Sequence, residues 1–150
     1  MSIIKTDKTN IHDWVNLSLR LFPEHTFNEM FQEYMGYLTN KNVRQKEIGF
    51  LYNKNNKNVA FMNISIRNDY VNGCDSSPVV YIEAIYVLPK YRKMGIASEL
   101  IKTAEIFARE KGILQVASDC LIDNTESEMF HKGCGFKEAE RVICFVKNIQ

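Results

Sequence analysis

The stretch Val87-Leu88-Pro89-Lys90-Tyr91-Arg92-Lys93-Met94-Gly95-Ile96-Ala97 decides how the chain is read. It opens at the end of an almost wholly apolar run, residues 79–88, as expected of a central strand covered on both faces. Pro89 ends that run. It closes where residues 95–111 take up a helical period, with Ile96, Leu100, Ile101, Ala104, Phe107 and Ala108 on one side. Glu105 and Arg109 stand one turn apart and are expected to pair, and Gly112 closes the helix. A helix start presents unpaired backbone N–H groups and a partial positive charge, which suits a pyrophosphate. Gly95 and Ala97 keep bulk away from that point, while Arg92 and Lys93 add charge at its mouth. A Walker loop needs Gly-Lys-Ser/Thr, and a dinucleotide fold needs GxGxxG after an early strand; the segment has neither.

Outward from this segment the chain reads as one α/β domain over residues 1–150, without repeat or linker. Ser2–Lys5 is a short strand. Asn10 is placed to cap a helix bearing Ile11, Trp14, Val15, Ser18, Leu21 and Phe22 on one face. Thr26 and Glu29 form a capping box before a stripe of Phe27, Met30, Phe31, Tyr34 and Leu38, which reads as core. Residues 47–52 and 59–66 form a hairpin across the polar turn 53–58. Beyond the long helix the spacing predicts a strand over 114–119, a short helix over 124–132 and a closing strand over 136–146. The expected order is β-α-α-β-β-β-α-β-α-β, a mixed, mostly antiparallel sheet flanked by about four helices.

Charge excludes two classes of partner. Nineteen basic side chains against eighteen acidic ones leave a net charge of +1, which gives no field for nucleic acid or an anionic membrane. No run approaches the roughly 20 apolar residues of a bilayer span, and Met1 to Asp13 lacks the pattern of a signal peptide. Cys74, Cys120, Cys134 and Cys144 show no CxxC pair and no zinc spacing with His12, His25 or His131, so no metal is expected. The thiols are expected to be reduced and the protein cytoplasmic.

Arg92 to Ala97 resembles the Arg/Gln-x-x-Gly-x-Gly/Ala signature of the GNAT N-acetyltransferase family. The preceding apolar strand, the amphipathic helix, the Asn-headed helix at Asn124 and Gly135-Phe136 follow at the spacing of that family. The resemblance implies the GNAT fold and acetyl-CoA as co-substrate. It implies that backbone groups of Ile85, Tyr86 and Val87 hold the pantetheine arm between two splayed strands. Amides of Arg92, Lys93, Met94, Gly95, Ile96 and Ala97 would hold the pyrophosphate, and Asn124 would contact the cofactor near its thiol. Many members place on the last helix a tyrosine that protonates the leaving thiolate; the matching position here is His131, which can also act as an acid.

Residues 69–80, Ala117-Ser118-Asp119 and Glu140-Arg141-Val142-Ile143 resemble segments of the aminoglycoside 6′-N-acetyltransferases. That resemblance implies a polycationic drug as acceptor, with Tyr70, Glu83, Asp119 and Glu140 lining its site. Glu83 stands in an otherwise apolar strand, where an unpaired carboxylate is expensive; it needs either an internal Arg or Lys or an arriving cation. Asp119 ends the neighbouring strand, so Glu83, Asp119 and His131 are the candidate catalytic residues. Phe22, a further substrate-binding candidate by the same resemblance, stands where the subgroup often has tryptophan, keeping the aromatic face and losing the indole donor. No cysteine is expected at the position of an acetyl-enzyme, so transfer is expected to be direct within a ternary complex. The subgroup commonly forms homodimers. The competing readings are acetylation of another polyamine or a peptide amine, and a non-catalytic acetyl-CoA-binding adaptor.

Overall fold

The computed structural model describes residues 2–40 and 42–150. Its elements are β1 (Ser2–Lys5), α1 (Ile11–Leu21), α2 (Phe27–Thr39), β2 (Glu47–Lys54), β3 (Lys57–Arg67), β4 (Val79–Val87), α3 (Ile96–Glu110), β5 (Val116–Ala117) and α4 (Thr125–Gly133). The strands form one sheet in the order β1-β2-β3-β4-β5. All neighbours are antiparallel except β4 and β5, which run parallel. This is the expected α/β fold. The β2–β3 hairpin turns tightly on Asn55 and Asn56, both at positive φ, which asparagine tolerates.

Each sheet face carries its own apolar core. Phe50, Tyr52, Met62, Ile64, Val80 and Ile82 pack against Ile96, Leu100, Ile101 and Ala104 of α3. Leu51, Phe61 and Ala84 pack on the other face against Trp14 and Val15 of α1 and Met30 and Tyr34 of α2. The alternation of strand side chains separates these two sets. Trp14 is fully buried and lies over Gly49, where a Cβ would come within 2.6 Å of the indole. Only glycine at that position lets the ring approach the sheet.

The second face is not wholly apolar. Asn63, Ser65 and Arg67 alternate along the end of β3 beside Glu47 of β2 and Glu83 of β4. Asn63 pairs with Ala84 and Ile64 with Ile82, leaving Glu83 as the extra residue of a β-bulge. Without that bulge, alternation would put Glu83 and Ala84 on opposite faces. With it, Glu83 reaches Ser65 and Arg67 on the face where Ala84 meets Leu51 and Phe61.

Several local expectations are corrected. The closing strand over 136–146 is absent: the segment is irregular, with Val142, Ile143, Phe145 and Val146 at 60–93% exposure. Its composition suits a strand, but a strand exists only where another backbone exchanges hydrogen bonds with it, and among the described residues none does so here, although Gly73 packs against Ala139. For the same reason β5 shrinks to two residues instead of 114–119. Asn10 sits at the N-cap of α1, but its side chain accepts from Asp7 N at 2.8 Å and does not cap the helix. Glu105 and Arg109 do not pair among the described residues. Thr26 does cap α2, its hydroxyl accepting from Glu29 N at 3.2 Å.

Candidate active site

β4 and β5 touch only through Val80–Val116 and Tyr81–Ala117, so β4 beyond Tyr81 has a free edge on that side. Ile85, Tyr86 and Val87 occupy this stretch, paired on their other side with Met62, Phe61 and Ala60. Val87 O accepts from Arg92 Nε at 2.8 Å, and the same guanidinium lies 5.2 Å from the Tyr86 ring centroid. Arg92 therefore locks the loop to the strand end. Lys93 and Gly95 both take positive φ, 62° and 80°, and turn the chain into α3. A Cβ built on Gly95 meets nothing within 4 Å, so the space over the helix start is open. The Ile96 side chain is buried at 3% exposure and offers only its amide, while Met94 points outward at 56%. Open space, first-turn amides and a basic loop fit a pyrophosphate.

A concavity of about 1270 Å³ lies between the 70–74 loop, residues 113–122 and the irregular C-terminal segment. It brings together Tyr70, Asp119, His131 and Glu140 with Arg67 and Tyr81. Glu83 stands behind it and is joined to it by contacts. Arg67 Nη2 lies 2.8 Å from Glu83 Oε1 and its Nε 3.0 Å from Oε2, while Ser65 Oγ donates to Oε2 at 2.6 Å. The Arg67 guanidinium stacks on the Tyr81 ring at 3.5 Å, and the Tyr81 hydroxyl donates to Asp119 Oδ2. Burial, then that bond to Asp119, pushes the Tyr81 phenol well above its ordinary range, so it stays a donor. Glu83 is thus paired before any ligand arrives, not waiting alone for a cation. Phe22 lies elsewhere, packed on the α1–α2 core with its ring 6.5 Å from His25.

Asn124 caps α4 by accepting from Ser127 N at 3.1 Å. One turn later in that helix, His131 Nδ1 lies 2.7 Å from Ser127 O, and Nε2 lies 2.8 Å from Ser118 Oγ. A carbonyl only accepts, so Nδ1 carries a hydrogen and Nε2 of the neutral ring accepts from Ser118. Phe130 and Phe136 meet the ring edge-on at 5.6 and 5.3 Å. His131 is consequently held one residue from Asp119. All four cysteines, including Cys120, line the same concavity as free thiols. Among the described residues no cluster of His, Cys, Asp or Glu could hold a metal, and no helix is long and apolar enough to cross a membrane.

Sequence reading missed Ser65, Arg67, Tyr81 and Ser118, which connect the candidate residues. The polar alternation Asn63-Ser65-Arg67 in an otherwise apolar strand was the available signal.

A splayed sheet edge beside a strand–glycine–helix turn defines an acetyltransferase architecture. The sequence pattern of the acetyltransferase (GNAT) family matches residues 10–136, and the chain belongs to that family. It is 37% identical over 149 residues to aminoglycoside N(6′)-acetyltransferase type 1 of Acinetobacter baumannii, covering 99% of both chains. It is 37% identical over 147 residues to the enzyme of the same name from Salmonella enteritidis, covering 98% and 99%. Among solved structures, AAC(6′)-Iy in complex with the bisubstrate analogue CoA-S-monomethyl-acetylneamine superposes with a TM-score of 0.90 at 36% identity, covering 99% and 98%. The apo enzyme AAC(6′)-Ig of Acinetobacter haemolyticus gives 0.89 at 34% identity over the whole of both chains.

Proposed function

We propose that the chain transfers the acetyl group of acetyl-CoA to the 6′-amine of an aminoglycoside, directly, with both substrates bound. The observation that carries this reading is the linked set Glu83–Arg67–Tyr81–Asp119, leading from the sheet into the concavity that Arg67, Tyr81 and Asp119 line. The bisubstrate ligand of a relative 36% identical to this chain joins CoA to an acetylated neamine. Full-length relatives at 37% identity carry the same activity in their names.

Acetyl-CoA supplies an activated acetyl thioester. Amides of the Arg92–Ala97 turn bind its pyrophosphate, backbone groups of Ile85, Tyr86 and Val87 bind its arm, and Asn124 lies near the thiol end. Asp119, Glu83 and Glu140 draw in the ammonium groups of the acceptor, and Tyr70 covers an apolar sugar face. Phe22 packs on the α1–α2 core and is not among the residues that line the concavity. His131, once its Nε2 is protonated, delivers a proton to the departing sulfur while Nδ1 stays on Ser127 O.

Cys74 supports direct transfer. Burial and Asp75 push the Cys74 thiol up, away from the reactive thiolate. The exposed Val142, Ile143, Phe145 and Val146 support a homodimer, because a contiguous apolar strip is covered in most soluble proteins. Free cysteines and acetyl-CoA chemistry suit the cytoplasm, where acetylation of a drug confers resistance.

The test is a thiol-release assay with kanamycin, tobramycin, spermidine and a short peptide, with product analysis to locate the acetyl group. Acetylation of the 6′-amine is expected. Turnover of spermidine alone would move the reading to polyamines, and CoA binding without turnover of any amine would leave an adaptor. Light scattering tests the dimer.

A further inference from the structure

Glu47 is a half-buried carboxyl that acetyl transfer leaves unused. It starts β2 with its Cα opposite Ser65, whose hydroxyl bonds Glu83 on the far side of β3. Its Oε1 accepts from Asn63 Nδ2 at 3.0 Å. Trp14 Nε1 donates to Asn63 Oδ1 at 2.8 Å, which fixes the amide and leaves its second hydrogen for the Tyr34 hydroxyl at 3.1 Å. Both hydrogens of Asn63 are committed.

The hydrogens at the other oxygen can be counted. The Tyr37 hydroxyl lies 2.8 Å from Glu33 Oε1 and 3.3 Å from Glu47 Oε2, yet it has one hydrogen. Donated along the shorter contact to Glu33, it leaves Glu47 facing an oxygen lone pair. That contact is attractive when Glu47 itself carries a proton, giving a chain from Glu47 through Tyr37 to Glu33. Burial points the same way, pushing the Glu47 carboxyl up to about 7 with Glu83 and Glu33 adding to it, against the bond from Asn63. The groups facing Glu47 are Glu33, Tyr34 and Tyr37 from α2, Asn63 and Ser65 from β3 and Glu83 from β4. Lys5 and Lys46 share with it a cleft of about 620 Å³ that opens to water.

We propose that Glu47 senses the charge of the acceptor from behind the acidic face: it holds a proton in part of the free enzyme at neutral pH and loses it when a polycationic amine occupies Glu83 and Asp119. The carboxyl O–H bond breaks, its electron pair stays on oxygen, and the proton leaves with water in the cleft. No other bond changes. The inference rests on the acceptor reading above. Glu47 is a positioning residue for charge: the acceptor never touches it, and its ionisation adds a negative charge under the site only when cations are there to use it.

Calorimetric titration of the intact protein with kanamycin, in buffers of different ionisation enthalpy, counts the protons exchanged. Protonation changes of the drug itself are common to both proteins, so the difference between wild type and Glu47→Gln isolates Glu47. At pH 7 wild type is expected to release up to about half a proton more, since a carboxyl titrating at about 7 is half protonated there. The gap closes at pH 9, where Glu47 is already ionised. Equal proton counts at pH 7 overturn the inference while leaving the acceptor reading intact; absence of kanamycin binding to wild type overturns both. Infrared difference spectroscopy on wild type needs no variant: loss of a protonated-carboxyl C=O band on adding kanamycin is expected, and an unchanged band overturns the inference.

Discussion

Arg67 grips Glu83 at two points, 2.8 and 3.0 Å, so the carboxylate deepest in the candidate acceptor site already has a cation before a substrate arrives. An ammonium group therefore shares Glu83 with Arg67, and Asp119, exposed at the rim, is the freer of the two acids. Glu83→Gln and Asp119→Asn are each expected to lower kcat/KM for kanamycin about ten- to a hundredfold, the loss of one charge-assisted bond of roughly 1.5–3 kcal/mol. CoA affinity should be unchanged. Steady-state kinetics with calorimetry for CoA decides it, and unchanged drug turnover in both variants would place the acceptor elsewhere.

His131 is held through both ring nitrogens, by Ser127 O and by Ser118 Oγ. A proton donor to the leaving sulfur acts on the chemical step, so His131→Ala should lower kcat while the KM for acetyl-CoA changes little. Equal kcat in the two proteins would reduce His131 to a packing role between Phe130 and Phe136.

The open space over Gly95 makes Gly95→Ala informative, because the added methyl meets no protein atom. Its φ of 80° costs an alanine roughly 1–2 kcal/mol of backbone strain. The larger effect should fall on CoA, whose pyrophosphate is expected in that space. Calorimetry should show a loss of at least tenfold in CoA affinity with the thermal transition only modestly lowered; unchanged affinity would remove this turn from the cofactor site.

Glu47 ties stability to pH. Its carboxyl titrates at about 7 in the folded chain against 4.5 for an ordinary glutamate, so between those values the folded state holds a proton that the unfolded state has lost. The unfolded state then binds fewer protons, and stability falls as pH rises from about 4.5 to 7 and levels off above. The loss is on the order of 3 kcal/mol at most. Glu47→Gln keeps a donor toward Tyr37 and an acceptor toward Asn63 but cannot ionise. Urea denaturation should show the variant gaining on wild type between pH 5 and pH 8; a constant difference across that range would sink the claim.

The elements that the sequence made legible are those whose pattern is local. The helical period of α3, the capping pair Thr26–Glu29, the turn at Asn55 and Asn56 and the strand-to-glycine turn before Ile96 each depend on neighbours within a few residues. Asp119, Tyr70, His131 and Glu140 were found through resemblance and do share one concavity. Arg67, Tyr81 and Glu47 were not found, because their meaning depends on partners 10 to 38 residues away in sequence.

The amino-acid sequence by itself determined the α/β order, the basic glycine turn and the apolar strands, since periodicity and backbone freedom act along the chain. Tertiary structure alone decided which face Glu83 occupies. One residue of bulge between β3 and β4 turns its carboxylate onto Ser65 and Arg67, and no local pattern records that shift of register. Tertiary structure likewise decided against a strand over 136–146. Its side chains favour extended backbone, but strand formation needs a neighbouring edge, and only the folded sheet fixes where edges lie.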